Sequence, residues 1–293
     1  MQEEDSAWKE VLDVYFEECL ELLFPDVHRG IDWSRPILFR DKEFQRLFAG
    51  MKRGGRRVDK LAQVDPVRAD EEPLLVHLEV QGYRERHFGR RVFDCNYGLE
   101  RKFRDHLSDF RRPDGRPASR VDVLSLAILS DPHERFRPGP YLRRRLGVKT
   151  TFRYPTVKLL DYEDRKDELE ASPKPFALVV RAQLGAREVR NDRDRHDLKL
   201  RLLRRLYDPG LECKNRNTLH RFFDWVLPLP PVLADRLLDT VKSEILGLTT
   251  MPYLAEFERA AEKKGEKKGQ RKAVLRDVRR GLEIRFGDEG LAL

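Results

Sequence analysis

The chain has 293 residues, of which 40 % are hydrophobic and 38 % are charged, with a formal net charge of +8. The hydrophobic fraction and the 16 phenylalanines support a folded core and argue against a disordered chain, and no apolar run reaches the roughly 18 residues that cross a bilayer. The acidic N-terminus lacks the pattern of a signal peptide, so we expect a cytoplasmic protein without a membrane partner, whose basic charge suits either a nucleic acid or simple solubility.

The first half of the chain changes from helical to strand-like periodicity. Residues 6–24 carry apolar side chains at steps of three and four, which predicts a helix. Short apolar segments bounded by Gly, Pro and Asp then predict four strands, at 56–64, 73–83, 121–129 and 152–162. Residues 90–107 between the second and third strands read as a crossover helix. This order predicts an α/β fold with a mixed sheet flanked by helices.

The second half is predicted to be all-helical. From residue 176 onward the periodicity is helical and no strand is predicted. A basic segment at 262–280 carries nine bases and three acids, and its residues 262–272 suit either a DNA backbone or a solvated helix or linker. We therefore expect an α/β core at 1–170, a helical region at 171–250 packed on that core, and a basic helical tail at 251–293.

The strand at 73–83 carries the most informative polar residues. Successive side chains alternate between the two faces of a strand, so His77, Glu79 and Gln81 share one face while the other face is apolar. Burying a carboxylate and an amide without partners is costly. Their partners would be an arginine or a backbone amide, or else a metal ion with its water; for His77 alone, a hydrogen-bonded core role is favoured.

Two further acids are candidates for the same site. Asp59 lies on the preceding predicted strand and would face Glu79 if the two strands pair, and Glu43 lies just upstream. Convergent carboxylates repel one another and need a cation. Oxygen ligands favour Mg²⁺, with Mn²⁺ as an alternative, and such a cation suits phosphodiester hydrolysis. Salt bridges to arginine are the structural alternative.

At these residues the chain resembles a known family. Asp59 followed by HLEVQG at 77–82 is similar to the PD-(D/E)xK nuclease motif, with Gln81 at the usual lysine position. More narrowly, the segments LFPDVHRGIDWSRP, FGRRVFDCNY and PFALVVRAQL resemble the recombination-promoting nuclease (Rpn) family, also described as transposase-like. The resemblance covers nearly the whole chain and implies a restriction-endonuclease-like core.

The resemblance also implies residue roles. Asp59 and Glu79 would be metal ligands, together with the backbone carbonyl of Val80 and the side chain of Glu43. Gln81 would orient the attacking water by hydrogen bonding alone, because an amide carries no charge.

Arginines follow the motif directly. Arg84, Arg86, Arg90 and Arg91 are expected to contact DNA phosphates, although a solvated start of the crossover helix is an equal alternative. A triple at 143–145, in a predicted loop, suits a second phosphate or a solubilising role.

The sequence therefore predicts a Mg²⁺-dependent DNA endonuclease, with an implied role in recombination or mobile-element activity. Two alternatives stay open: a catalytically weak relative that only binds DNA, and a protein–protein interaction module that uses the helical half. Association into homo-oligomers is also left open.

Overall fold

The computed structural model describes residues 2–47, 57–241 and 243–244, with side chains from residue 7 to 46 and from residue 60 onward. The described residues up to Val241 form one compact unit that contains both the sheet and the helices that follow it. The predicted basic tail at 251–293 lies outside the described residues.

Seven strands form two sheets in the part of the chain that the structure describes. In chain order they are β1 (Leu38–Phe39), β2 (Arg57–Val64), β3 (Leu74–Gln81), β4 (Asp122–Leu129), β5 (Tyr141–Arg145), β6 (Val148–Phe152) and β7 (Thr156–Lys158). The main sheet has the order β1-β2-β3-β4-β7. The β1–β2 and β2–β3 pairs are antiparallel, whereas the β3–β4 and β4–β7 pairs are parallel. The prediction of an α/β fold with a mixed sheet is confirmed. The second sheet is the β5–β6 hairpin.

Ten helices surround the main sheet in the described residues. They are α1 (Gln2–Val14), α2 (Phe16–Leu23), α3 (Pro25–Arg29), α4 (Asp41–Leu47), α5 (Phe88–Arg104), α6 (Lys166–Ala171), α7 (Pro175–Glu188), α8 (Asp192–Leu206), α9 (Arg216–Val226) and α10 (Pro231–Val241). Short 3₁₀ helices occupy Leu107–Asp109 and Leu159–Arg165. From residue 176 to the end of α10 the structure contains helices and no strand, as predicted.

Helix α5 connects the two central parallel strands and packs against one face of the sheet. Its residues Val92, Cys95 and Leu99 are buried against apolar side chains of β3 and β4. On its first turn, a Cβ at Gly89 would stand 2.9 Å from the carbonyl oxygen of Gly139. Only glycine allows the helix to approach the loop after β4 this closely.

The helical half interlocks with the N-terminal helices. Helix α7 is mostly apolar and mostly buried, and its one buried charge, Arg181, is paired with Glu170, as expected for a central helix. The Trp8 ring of α1 meets the Phe222 ring of α9 edge-on at 5.2 Å. The Tyr15 hydroxyl donates to the carbonyl oxygen of Asn215 at 2.8 Å. The predicted helix at 6–24 is accordingly two helices, α1 and α2, with Tyr15 between them.

The predicted strand at 152–162 is largely wrong. Only Thr156–Lys158 pairs with β4, and the chain then turns into the 3₁₀ helix at Leu159–Arg165. Leu159 and Leu160, which belong to the apolar run that predicts a strand, are buried as part of this helix instead. A short continuous apolar run does not distinguish the two structures by periodicity.

Candidate active site and arginine cleft

The polar face of β3 is completely covered. His77, Glu79 and Gln81 each have no solvent-exposed surface, because α4 and α5 lie over this face of the sheet. Phe44 of α4 stacks on the His77 ring at 5.0 Å. His77 Nδ1 lies 3.3 Å from the Ser125 hydroxyl, which also accepts a hydrogen bond from Asn96. The imidazole is therefore a core group tied to β4, as favoured from the sequence.

Asp59 and Glu79 occupy directly opposed positions on adjacent strands. The antiparallel register pairs Asp59 with Glu79, between the pairs formed by Arg57 with Gln81 and Leu61 with His77. Directly opposed positions on such a pair belong to the same face, with Cβ atoms roughly 4.5–5.5 Å apart. The predicted pairing of the two strands is thus confirmed, while the Asp59 side chain lies outside the described residues.

Arg91 of α5 is the principal partner of this buried face. Its guanidinium forms an ion pair with Glu79 and donates from Nη2 to the Gln81 side-chain oxygen at 3.0 Å. Its Nε donates to Glu85 at 3.0 Å. Burial alone would lower the pKa of Arg91, but the carboxylates of Glu79 and Glu85 raise it above its ordinary value. One cation thus holds together two carboxylates and an amide.

Gln81 is fixed at both ends of its amide. The side-chain oxygen accepts from Arg91, and Nε2 donates to the backbone carbonyl of Tyr83 at 2.7 Å. This arrangement holds the chain as it leaves β3. It also sets the position of the Arg91 guanidinium beside Glu79.

Glu43 and Arg91 differ in position from the other predicted site residues. The Glu43 carboxylate is half-exposed on α4 and lies 3.9 Å from Arg40 Nη1. Arg91, expected beside DNA, is only 9 % exposed and is turned toward β3. No three His, Cys, Asp or Glu side chains converge among those that the structure describes. The roles of Glu43 and the Val80 carbonyl as ligands stay predictions.

Tyr154 is a neighbour of the site that the sequence did not indicate. Burial raises the pKa of its hydroxyl, and the negative charge of Glu79 raises it further. This oxygen has no hydrogen-bond partner among the described residues. Tyr154 lies in the segment read as a strand, so no signal in the sequence connected it with Glu79.

An open cleft lies beside the buried site. It encloses about 1070 Å³ between the start of α5 and the loop that leads into β5. Six arginines line this arginine cleft: Arg84, Arg86, Arg90, Arg135, Arg137 and Arg143. Arg84, Arg86 and Arg90 are predicted phosphate contacts, and Arg143 belongs to the triple for which the sequence leaves a phosphate or a solubilising role open. Arg135 and Arg137, about fifty residues after the motif, are not indicated by the sequence.

Most of the positive charge in the arginine cleft is uncompensated. Arg90 lies 3.6 Å from Asp94, and Arg137 donates to Asp161 at 2.9 Å. The other four arginines form no ion pair with any described residue. Among the described residues of the lining Glu85 is the one acid, and its carboxylate is bound by Arg91. The cleft is therefore suited to a polyanion.

A buried ion pair holds the far wall of the arginine cleft. Lys158 at the end of β7 contacts Asp131 at 2.6 Å and donates to the His133 carbonyl at 2.9 Å, and both charged side chains are buried. Asp131 also accepts from the His133 amide. The loop that carries Arg135 and Arg137 is thereby tied to the edge of the main sheet.

Comparison with known proteins adds no relative. No protein-family model, curated protein or solved structure significantly matches the chain. None of the helices in the described ranges combines the length and the apolar character needed to cross a membrane.

Proposed function

We propose that this chain is a metal-dependent DNA endonuclease with a restriction-endonuclease-like core. The observation that carries the proposal is the arginine cleft at the end of the strand that bears Glu79. Glu85 in the cleft wall and Glu79 in the sheet share a single guanidinium, that of Arg91. A phosphate held by the cleft arginines would therefore lie close to the paired acidic positions.

The acidic positions suit a hard divalent cation. Asp59 and Glu79 are opposed on one sheet face, and carboxylate oxygens are the donors that Mg²⁺ and Mn²⁺ prefer. Bound there, the cation would lower the pKa of a coordinated water and neutralise charge on the phosphate. Glu79 and Asp59 would hold it, while the cleft arginines bind and orient the DNA strand.

Arg91 would supply the positive charge that a lysine provides at the position of Gln81 in the nuclease motif. In the motif that the chain resembles, a lysine stands two residues after the acid, whereas here a neutral amide does. The guanidinium of Arg91 reaches the same place from α5 and is held there by Gln81 and Glu85. We assign Gln81 to positioning Arg91, and Arg91 to stabilising negative charge beside Glu79.

The second candidate is a DNA-binding protein without nuclease activity. The Glu79–Arg91 ion pair favours it, because the guanidinium neutralises a carboxylate that a metal ion would need. In this case the arginine cleft would bind DNA and the buried acids would only stabilise the fold.

Plasmid cleavage separates the two candidates. Purified full-length protein is incubated with supercoiled plasmid in Mg²⁺, in Mn²⁺ and in EDTA, beside Glu79→Gln. The matched control is Glu72→Gln, which alters another buried carboxylate, bound by Arg112 and Ser119 just before β3. We expect cleavage with either metal by the wild type and the control, and none by Glu79→Gln. DNA binding without cleavage under all conditions would support the second candidate, and equal cleavage by Glu79→Gln would refute this site.

A further inference from the structure

The β5–β6 hairpin projects from a firmly packed base. At the base, the Tyr141 ring stacks on Phe93 of α5 at 4.8 Å, and the Phe152 ring meets the same Phe93 at 5.5 Å. Beyond these rings the strand residues are exposed or nearly so. Five residues of strand extend roughly 17 Å. The hairpin therefore has a fixed origin on α5 and a tip that stands away from it.

The hairpin carries only positive charge. The segment 141–153 contains five basic residues and no acid. Arg144 is directly opposed to Lys149 across the two strands, an arrangement of like charges that is unfavourable without a counter-charge. None of the three arginines of β5 forms an ion pair with a described residue. Arg143 lines the arginine cleft, so the charged surface is continuous from the cleft to the hairpin.

The tip of the hairpin presents a strained and exposed leucine. Leu146 and Gly147 form the two-residue turn, with φ angles of 48° and 81°. Turns of this kind favour Asn, Asp or Gly, because other side chains are strained at positive φ. Leu146 is nevertheless there, and 94 % of its surface is exposed. Neither turn geometry nor packing within the described residues explains a leucine at this position.

We propose that the β5–β6 hairpin is a DNA-binding arm whose tip residue, Leu146, inserts between stacked bases. The basic side chains would contact phosphates on both sides of the groove that the tip enters. Leucine is among the apolar side chains that wedge between base steps from the minor groove, and two-stranded ribbons are known groove readers. This inference rests on the proposed function, because it takes duplex DNA as the substrate.

The distribution of charge favours DNA over an anionic membrane. A membrane-inserting tip needs a broad apolar face, whereas here arginine and lysine occupy both faces of the ribbon up to the turn. The other exposed apolar side chains of the hairpin, Leu142 and Val148, lie among these cations and form no such face. An exposed tip leucine flanked by cations instead matches a base step flanked by phosphates.

The test measures DNA binding and base unstacking separately. Full-length protein in EDTA is titrated into a short duplex in which several adenines are replaced by 2-aminopurine, whose fluorescence rises on unstacking. Fluorescence anisotropy at several salt concentrations reports binding on the same samples. The variants are Leu146→Asn, which suits the turn but removes the wedge, and the double variant Arg144→Gln/Lys149→Gln. Binding to phosphatidylserine vesicles is measured in parallel.

We expect the wild type to raise the 2-aminopurine signal several-fold at saturation. Leu146→Asn should keep the salt dependence of binding and lose most of that rise. The double variant should reduce the slope of log K against log salt by about 1.8, or about 0.9 for each lost phosphate contact. A full fluorescence rise with Leu146→Asn would overturn the inference, as would vesicle binding that depends on Leu146.

The outcome also distinguishes this inference from the proposed function. A wild-type protein that neither binds duplex nor cleaves plasmid refutes both. A protein that cleaves plasmid but whose hairpin variants behave as wild type in binding and fluorescence refutes the DNA-binding arm alone.

Discussion

The basic residues of this protein fall into two groups with different surroundings. Lys60, Arg91 and Lys158 are buried, and each is in contact with a carboxylate. The arginines of the arginine cleft and of the hairpin are exposed, and most have no acidic partner among the described residues. Basic side chains therefore form buried ion pairs in one part of the fold and an exposed positive surface in the adjacent part.

The difference follows from the cost of removing charge from water. A buried cation must be neutralised by its neighbours, so the charges of Arg91 and Glu79 cancel within the fold. An exposed arginine needs no partner and keeps its charge available to a ligand. Arg90 and Arg91 are adjacent in the sequence, yet they belong to different groups because Arg91 projects from α5 toward the sheet while Arg90 projects toward solvent. The predictions below test this division.

The largest effect is expected from removing the buried guanidinium. Arg91→Met leaves Glu79 buried without its ion-pair partner, so we expect the free energy of unfolding to fall by about 3–5 kcal/mol. Arg90→Met is the matched control, since Arg90 is exposed and forms only a long surface pair with Asp94. Its effect should stay within about 0.5 kcal/mol. Urea unfolding in EDTA measures both.

The double variant identifies the cause of that loss. If Arg91→Met destabilises by leaving Glu79 uncompensated, adding Glu79→Gln should restore much of the stability. A double variant as unstable as Arg91→Met alone would show that Arg91 acts through packing on the Phe88 ring, which lies 5.1 Å from its guanidinium carbon.

The next effect concerns acid stability at the other end of β3. Burial favours the protonated form of Glu72, but hydrogen bonds from Ser119 and Arg112 lower its pKa from 4.5 to about 2. Because the pKa is lower in the folded state, this stabilisation is present above about pH 5 and is lost as the pH falls toward 2. Glu72→Gln should cost about 2 kcal/mol at pH 6 and little near pH 2.

Urea unfolding at both pH values tests the Glu72 prediction. Glu168→Gln is the control, because Glu168 forms an exposed ion pair with Arg165, and its effect should stay below about 0.5 kcal/mol at either pH. An equal cost of Glu72→Gln at both pH values would mean that the carboxylate does not stabilise the fold through its charge.

The sheet was predictable because its strands carry strong local signals. The segments predicted at 56–64, 73–83 and 121–129 are found as β2, β3 and β4, with bounds that differ by no more than two residues. The crossover helix predicted at 90–107 is α5, Phe88–Arg104. Alternation along 73–83 also placed His77, Glu79 and Gln81 on one face, and pairing with the preceding strand set Asp59 opposite Glu79.

The partners of the buried site were not predictable in the same way. The sequence left open whether an arginine or a metal ion accompanies Glu79, because a run of arginines at 84–91 does not show which one turns inward. The far wall of the arginine cleft depends on a loop about fifty residues later. The Pro and Gly residues around 143–145 predict a loop where the hairpin lies, and Leu146 gives no turn signal because a two-residue turn favours Asn or Gly at its position.

A smaller effect is expected from single exposed arginines of the cleft. Arg135→Gln should weaken duplex binding by about 1–1.5 kcal/mol, roughly tenfold in Kd, and lower the salt slope by about 0.9. Its folding stability should change little, because Arg135 is exposed and forms no ion pair with a described residue. Arg84→Gln and Arg86→Gln should behave alike.

The control for the cleft is an exposed arginine that already has a partner. Arg120 lies before β4 and is bound to Asp122 at 2.8 Å, so Arg120→Gln should leave both Kd and the salt slope unchanged. Anisotropy titrations at several salt concentrations measure all four variants. Equal losses for Arg120 and Arg135 would show that binding follows net charge and not the cleft.

The smallest effect is expected at the hairpin tip, and its sign is opposite to the others. Leu146 has a φ of 48°, a conformation that costs an ordinary residue roughly 1–2 kcal/mol but is common for asparagine. Leu146→Asn should therefore raise the free energy of unfolding by about 1 kcal/mol and the Tm by about 2–4 °C. Leu146→Ala, which keeps the strain, should change it by less than about 0.5 kcal/mol. Differential scanning calorimetry measures both.

Unfolding and 2-aminopurine fluorescence of the same Leu146→Asn protein distinguish a stabilising role of Leu146 from a DNA-binding role. If Leu146 were present only because it stabilises the fold, replacing it would lower the free energy of unfolding together with the unstacking of DNA. Leu146→Asn should instead stabilise the fold and lose unstacking, because strain at a functional position is retained for what the side chain does and not for the fold. A lower free energy of unfolding for Leu146→Asn would indicate that the leucine packs against the protein. That result would contradict its assignment as a residue that inserts between bases.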